Sequence, residues 1–371
     1  MLVIGSLSLH HFRNYAFAEL QTEGRSVILT GPNGAGKTNI LEAVSLLLPG
    51  RGLRKARLSD LKRQANAQPW VIAADVSGLQ GAAHLGTSLD PESDTERRLI
   101  KIDGEKAKSQ TALAEHLAIA WQTPQMDGLF LASDGERRRY LDRLICSFDP
   151  THLTRVNGYE HAMRERTKLL ADARPDAAWL GALEEKMAQT AVSIAAARLE
   201  LIERLNASIS NASGHFPKAE MAMQGDVETL VQSNASSDAE LAVQEKLTAN
   251  RRPDATAGRA LFGTHKSLWR VTHSAKQQEA AYCSTGEQKA LLLSIMLAHA
   301  RARKDWLGKA PILLLDETVA HLDVTRRGAL AQALEALNTQ VWLTGTDAAD
   351  FQVFERFAQH FEVRDAEVIK R

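Results

Sequence analysis

Cysteine is nearly absent from this chain. Cys146 and Cys283 are the only two in 371 residues, too few for a disulfide scaffold and in keeping with a reducing compartment. An excess of either charge is missing too. The 45 Lys and Arg balance 45 Asp and Glu, so nothing global advertises a nucleic-acid partner. No apolar run approaches the ~20 residues that cross a bilayer, and the greasiest helix-length stretch, "KALLLSIMLAHA", carries Lys289 and His299. The opening "MLVIGSLSLHHFRNY" lacks the basic start and unbroken apolar core of a secretory signal. Internal repeats, zinc-ligand spacings, a recognition helix and aromatic-rich nucleic-acid motifs do not appear. What remains is the expectation of a soluble cytoplasmic protein, long enough for two lobes.

What is present begins with "RSVILTGPNGAGKTNILEAVSLLL". A strand over residues 25–30 runs into a glycine loop and then into a helix. The loop fits G-x-x-x-x-G-K-[ST] from Gly31 to Thr38. Strand, loop and helix in that order are the context in which such a loop binds phosphate. Its glycines let the backbone wrap phosphate oxygens, Lys37 reaches the terminal phosphates, and Thr38 holds magnesium. The loop predicts ATP or GTP with Mg2+, without choosing between the two nucleotides.

Further strands are expected at "VIGSLSL" (3–9), "WVIAADVSG" and "TERRLIKIDG". From about residue 110 the chain turns rich in Ala, Leu, Glu and Arg. Two long helical patterns follow, divided by Pro175, and the second is longer than a usual globular helix, which suggests an arm or hairpin. The acidic stretch 217–247 reads as strand or loop. The expected layout is an α/β phosphate-loop lobe built from residues 1–110 and 258–371, with a mostly helical lobe, 111–257, inserted between.

"PILLLDE" places an apolar run on a buried strand ending in Asp316 and Glu317, where nucleotide sites form in open parallel sheets. Asp316 is cast as the acid that bonds magnesium-bound water, and Glu317 as the general base acting on the attacking water. "TQVWLTGTD" ends in Thr344, Thr346 and Asp347. A hydroxyl there either senses a γ-phosphate or belongs to an ordinary strand-end turn.

A second glycine-marked helix start, "CSTGEQKALLLSIMLAHARARK", lies far downstream. Ser284 or Thr285 can cap it, and Glu287 is an acid in its first turn. One phosphate loop already serves one nucleotide. A second helix start that donates to phosphate therefore needs a nucleotide held elsewhere, as in a partner subunit.

With "GPNGAGKTN", "ILLLDE" and "HLD", the "STGEQK" block resembles the signature of ATP-binding-cassette ATPases. "LSLHHFRNY", "TPQMDGLFLASDGERRRYLDRL" and "QVWLTGTD" bring the chain close to the RecF family of bacterial recombination and repair proteins. The resemblance implies that Arg13 and Asn14 lie near the nucleotide. It places Gly31, Pro32, Asn33, Gly34, Ala35, Gly36, Lys37, Thr38 and Asn39 around the phosphates. Gln122 or Gln125 would serve as the glutamine loop. Ser284, Gly286, Gln288 and Asp323 would face a γ-phosphate held by the other subunit. The resemblance further implies an ATP-dependent DNA-binding dimer with weak ATPase activity, acting with RecO and RecR at gaps and junctions with duplex and aiding RecA loading.

The sequence departs from that pattern in "GTHKSL" (263–268), in the Asp-Glu pair after the strand, and in "AHLD". For DNA, the densest basic cluster is "RGLRKARLSDLKR". There Arg51, Arg54, Lys55, Arg57, Lys62 and Arg63 face Asp60 alone, a candidate backbone-binding surface. Arg137–Arg139 and Arg164, Arg166 and Lys168 are weaker candidates, interspersed with acids. An ATP-binding scaffold and a cassette ATPase serving a membrane permease are the competing classes.

Overall fold

The computed structural model describes residues 1–63, 68–90, 96–212 and 214–371; Thr95 of the "TERRLIKIDG" strand lies outside them. The chain runs β1 (Val3–Phe12), β2 (Tyr15–Gln21), β3 (Ser26–Thr30), α1 (Lys37–Ser45), β4 (Val71–Gly78), β5 (Gly81–Leu89), β6 (Arg98–Ile102), β7 (Glu105–Lys106) and β8 (Ile119–Gln122). Then come α2 (Asp134–Cys146), α3 (His152–Leu170), α4 (Ala177–Ser210), β9 (Ala219–Gln224), α5 (Asp226–Ser233), α6 (Ser236–Ala249), α7 (Arg251–Ala257), β10 (Leu268–His273) and β11 (Gln278–Glu279). It closes with α8 (Thr285–Leu307), β12 (Ile312–Leu315), α9 (Val324–Leu337), β13 (Val341–Gly345), β14 (Ala358–Arg364) and β15 (Glu367–Lys370).

Two compact units divide it. The first comprises Met1–Asp127, Ser213–Phe216 and Met296–Arg371; the second Gly128–Ala212 and Pro217–Ile295. Residues 111–127 thus go with the first unit and 258–295 with the second.

The first unit holds two six-stranded sheets. One, ordered β2-β1-β4-β5-β6-β7, is antiparallel. Its β1 buries Ile4, Leu7 and Leu9, and the odd spacing between the first two is absorbed by a register shift between Ile4 and Ser6. The other sheet, ordered β15-β14-β3-β13-β12-β8, is parallel apart from β15. Its β3, β12 and β13 are buried at every position, which is why they read as continuous apolar runs. A single core joins both sheets through Leu7, Phe12 and Trp70 on one side and Val27, Leu314 and Trp342 on the other. Buried Gln340 ties them further. Its Oε1 accepts from the Ile4 N–H at 2.9 Å, and its Nε2 donates to the Ile4 and Arg25 carbonyls, both at 2.9 Å. The loops after β3, β12 and β13 leave the C-terminal ends of neighbouring strands, so the fold gathers the sequence motifs at one crevice.

In the second unit, α4 is one 34-residue helix and not a free arm. Met187, Ala188, Ala191, Ile194 and Ala195 bury one stripe of it in a core shared with Tyr159, Val243 and Leu247. Arg166, a weaker DNA candidate, is fully buried there and paired with Glu184 at 2.9 Å and Asp254 at 2.6 Å. The acidic stretch 217–247, read as strand or loop, forms β9, α5 and most of α6. Only Ala239, Val243 and Leu247 of α6 are buried. Three small or medium apolar residues at four-residue spacing leave a weak helical pattern. Among the described residues no helix is long and apolar enough to cross a membrane.

Candidate nucleotide-binding site

Glycines are required where the loop after β3 bends. Gly31 has φ 142°, and a Cβ there would fall 2.1 Å from the Val363 carbonyl oxygen. Gly36 has φ 120°, with a Cβ position 2.5 Å from the Tyr15 hydroxyl and 2.6 Å from Asn14 Nδ2. Left-handed backbone and no room for a side chain both demand glycine. Gly36 is also the N-cap of α1, so α1 begins without a side-chain cap and without an acid in its first turn. Its free N–H groups and positive dipole end suit an anion. Lys37 Nζ donates to the Gly31 and Pro32 carbonyls at 2.7 and 2.9 Å. Burial pulls its pKa down, against the opposing pull of the Glu317 and Asp316 charges.

The loop is braced from behind. Asn14 Nδ2 donates to the Ala35 carbonyl at 2.9 Å, and Asn39 Nδ2 donates to Asn14 Oδ1 at 2.7 Å. Arg54 reaches Asn39 Oδ1 at 2.6 Å and Glu42 Oε2 at 3.3 Å. Glu42, wholly buried on α1, takes Arg13 in a two-pronged pair at 2.7 and 2.8 Å. Arg13 also donates to the Asp60 carbonyl at 2.9 Å. Arg13 and Asn14 therefore lie beside the loop as structural supports, with Asn14 touching it directly. Glu42 escaped the sequence reading. Its signal was an acid on the apolar face of "NILEAV", a position that needs a buried cation.

Opposite the loop, Asp316 follows β12. Its Oδ1 accepts from Thr38 Oγ1 at 3.0 Å and from Thr344 Oγ1 at 2.7 Å. Burial raises the Asp316 pKa, and these two hydroxyls work against that rise. Glu317 sits at φ 52°, its N–H donating to Thr344 Oγ1 at 2.9 Å. A non-glycine residue in that backbone conformation stores strain. Gln122 ends β8 beside Leu315, its carbonyl accepting the Asp316 N–H at 2.9 Å. Its side-chain Oε1 is buried with no hydrogen-bond partner. Gln125 is exposed on the next turn. Thr346 is exposed on a cavity of about 680 Å³ lined also by Gly31, Asp347, His360 and Arg371. The hydroxyl that touches Asp316 is Thr344, two residues earlier.

These groups fit a magnesium-bound triphosphate. The loop is a cradle that a Cβ would fill, and the Gln122 oxygen is an acceptor left over. Thr38 and Asp316 supply hard oxygen donors side by side. Among the described residues no group of three His, Cys, Asp or Glu could hold a metal ion.

In the second unit Ser284, Thr285 and Gly286 are exposed at the start of α8. Ser284 is the cap. Its Oγ accepts from the Glu287 N–H at 3.4 Å, while Glu287 Oε2 accepts from the Ser284 N–H at 3.1 Å and Oγ at 3.0 Å. Gln288 is buried, its amide donating to the Ala281 and Cys283 carbonyls at 3.3 and 2.9 Å, so it holds the turn. Asp323 caps α9, accepting the Arg326 N–H at 2.8 Å. The basic segment divides. Arg51, Lys55 and Arg57 are exposed and Lys62 and Arg63 half-buried, whereas Arg54 turns inward to the phosphate-loop brace.

Residues 3–368 match the family described as RecF/RecN/SMC N-terminal domain. The chain is 44% identical over 369 residues to the DNA replication and repair protein RecF of Rhizobium leguminosarum bv. trifolii (strain WSM2304), covering 99% of this chain and 98% of that one. It is 45% identical over 364 residues to the RecF of Allorhizobium ampelinum (strain ATCC BAA-846 / DSM 112012 / S4), covering 98% and 97%. Among solved structures, the recombination mediator protein RecF-ATPrS of the RecFOR pathway is similar at TM-score 0.86 and 22% identity, over 100% of this chain and 98% of that one. An Smc head domain with an extended coiled coil, derived from Pyrococcus furiosus and bound to the C-terminal domain of ScpA, is similar at TM-score 0.57 and 16% identity, over 100% and 96%. At those identities the structural likeness carries the fold alone, a mixed α/β head like those of RecF and Smc.

Proposed function

The chain belongs to the RecF family of DNA replication and repair proteins, and from that premise we propose that it is an ATP-gated, DNA-binding dimer with slow turnover. The observation that carries the reading is the uncapped start of α1 with Thr38 and Asp316 bonded across from it. ATP with magnesium supplies the group-transfer energy. The residues of the chain do the rest. Gly31–Thr38 wraps the phosphates, Lys37 neutralises them, and Thr38 with Asp316 holds the metal. Glu317 takes a proton from the attacking water at its carboxylate. Gln122, at the end of β8, is the glutamine-loop residue. Ser284 and Gly286 face the nucleotide of a second copy, and Asp323 crosses the same interface.

Family relation and the exposed cations Arg51, Lys55 and Arg57 support duplex or gapped DNA, and junctions with single strand, as the substrate surface. Contacts there are to the phosphate backbone, because no base-reading element is present among the described residues. RecO and RecR partnership, and help in loading RecA at gaps and stalled forks, follow from the family. Closure lasts only while nucleotide bridges two copies, so hydrolysis acts as a timer. Sedimentation with ATP and magnesium tests the core of this. A dimer that accumulates with Glu317→Gln is expected; wild type and Glu317→Gln both monomeric at micromolar concentration would overturn it.

A further inference from the structure

Lys276 stands in the four-residue turn between β10 and β11, its N–H bonded to the His273 carbonyl at 3.1 Å. Its Nζ lies 2.5 Å from Glu287 Oε1. The other oxygen of that carboxylate takes both the N–H and the hydroxyl of Ser284. The start of α8 is thus filled by an anion of the chain's own, and the Ser284 proton is committed to it. The Lys276 ammonium, together with the Ser284 N–H and hydroxyl, holds the Glu287 carboxyl down at about 2, so the carboxylate is charged at any pH of interest.

A helix start in this state poorly receives a phosphate. The Ser284 hydroxyl must swing its proton away from Glu287 before it can donate elsewhere, and a carboxylate one turn from the incoming charge repels it. When the hydroxyl leaves, the carboxylate keeps the Ser284 N–H and the positive charge of Lys276. We propose that Lys276 is a positioning residue of the signature: by neutralising and anchoring Glu287, it frees Ser284 for the triphosphate held by a second copy of the chain. The inference rests on the split-site reading above. Lys276 touches no nucleotide itself, and its ion pair is half exposed, so it adds little to folding.

The test is ATP-driven dimerisation of the full chain, followed by sedimentation across an ATP titration with magnesium. Lys276→Ala should raise the half-saturating ATP at least about tenfold, as expected for an uncompensated like charge, with the thermal midpoint unchanged. Lys276→Arg should restore wild-type behaviour. The double variant Lys276→Ala/Glu287→Gln should also restore it, because glutamine keeps the cap and removes the charge. An unshifted Lys276→Ala, or a shift that Glu287→Gln does not relieve, overturns the proposal while leaving the split site standing. Ser284→Arg is the separate control: if it too dimerises normally, the split-site reading falls and takes this proposal with it.

Discussion

The two glycine-marked helix starts, at Lys37 and at Thr285, are built in opposite ways. The first has no side-chain cap and no acid in its first turn. Asn14 and Asp316, remote in sequence, bond to it, while Tyr15 and Val363 lie close against its glycines. The second is capped by its own serine and glutamate and steadied by a lysine eleven positions before that glutamate. An uncapped start offers its amides to a ligand at once. A self-capped start must first release a proton and balance a charge, so it suits a contact that forms only when a partner arrives. On the function proposed above, the first start suits phosphate held within one chain and the second a contact made only in a dimer.

Substitutions that respect or violate each construction should break the comparison in order of size. Gly31→Ala places a methyl group against the Val363 carbonyl at a left-handed backbone, and neither can yield. It should cost more than about 4 kcal/mol, seen as loss of the folded first unit in denaturant titration. Glu42→Ala leaves the part-exposed Arg13 and Arg54 without the carboxylate they share; about 1–3 kcal/mol of stability should go, read by the same titration.

Asp316→Asn should split stability from turnover. Burial raises the folded-state pKa of Asp316. The folded form therefore holds its proton longer than the unfolded form, and stability from this residue falls as pH rises through the folded pKa. The asparagine variant should melt higher than wild type at neutral pH, lose that gain below the ordinary aspartate range, and show phosphate release reduced by about 10- to 100-fold through weakened metal binding. Ser284→Ala removes a cap worth about 1 kcal/mol, visible as faster amide exchange in the first turn of α8. Gly286→Ala meets open space and should change folding stability by less than about 0.5 kcal/mol; a loss the size of Gly31→Ala would erase the contrast between the two starts.

Much of this was legible in the sequence because the phosphate loop, the buried acid strand and the signature each carry their pattern in consecutive residues. β3, β12 and β13 announced themselves as apolar runs for the same reason. What was not legible depends on residues far apart. The Glu42–Arg13–Arg54 brace joins three segments, and nothing in "RGLRKARLSDLKR" says that Arg54 turns inward while Arg51, Lys55 and Arg57 face solvent. The sequence offers Thr344 and Thr346 alike after an apolar run, and the strand register alone decides that the Thr344 hydroxyl meets Asp316. α6 was hidden because three modest side chains suffice to bury one face of it.

The most direct measurement mixes two separately inactive chains, Lys37→Ala and Ser284→Arg, and follows phosphate release with magnesium and ATP. If the nucleotide site is divided between two copies, a mixed dimer contains one intact site, formed by the phosphate loop of the Ser284→Arg chain and the signature of the Lys37→Ala chain. Turnover should then reappear on mixing, at about one quarter of the wild-type rate for random two-fold pairing. Two inactive preparations that remain inactive together, while still forming mixed dimers, would contradict the split site.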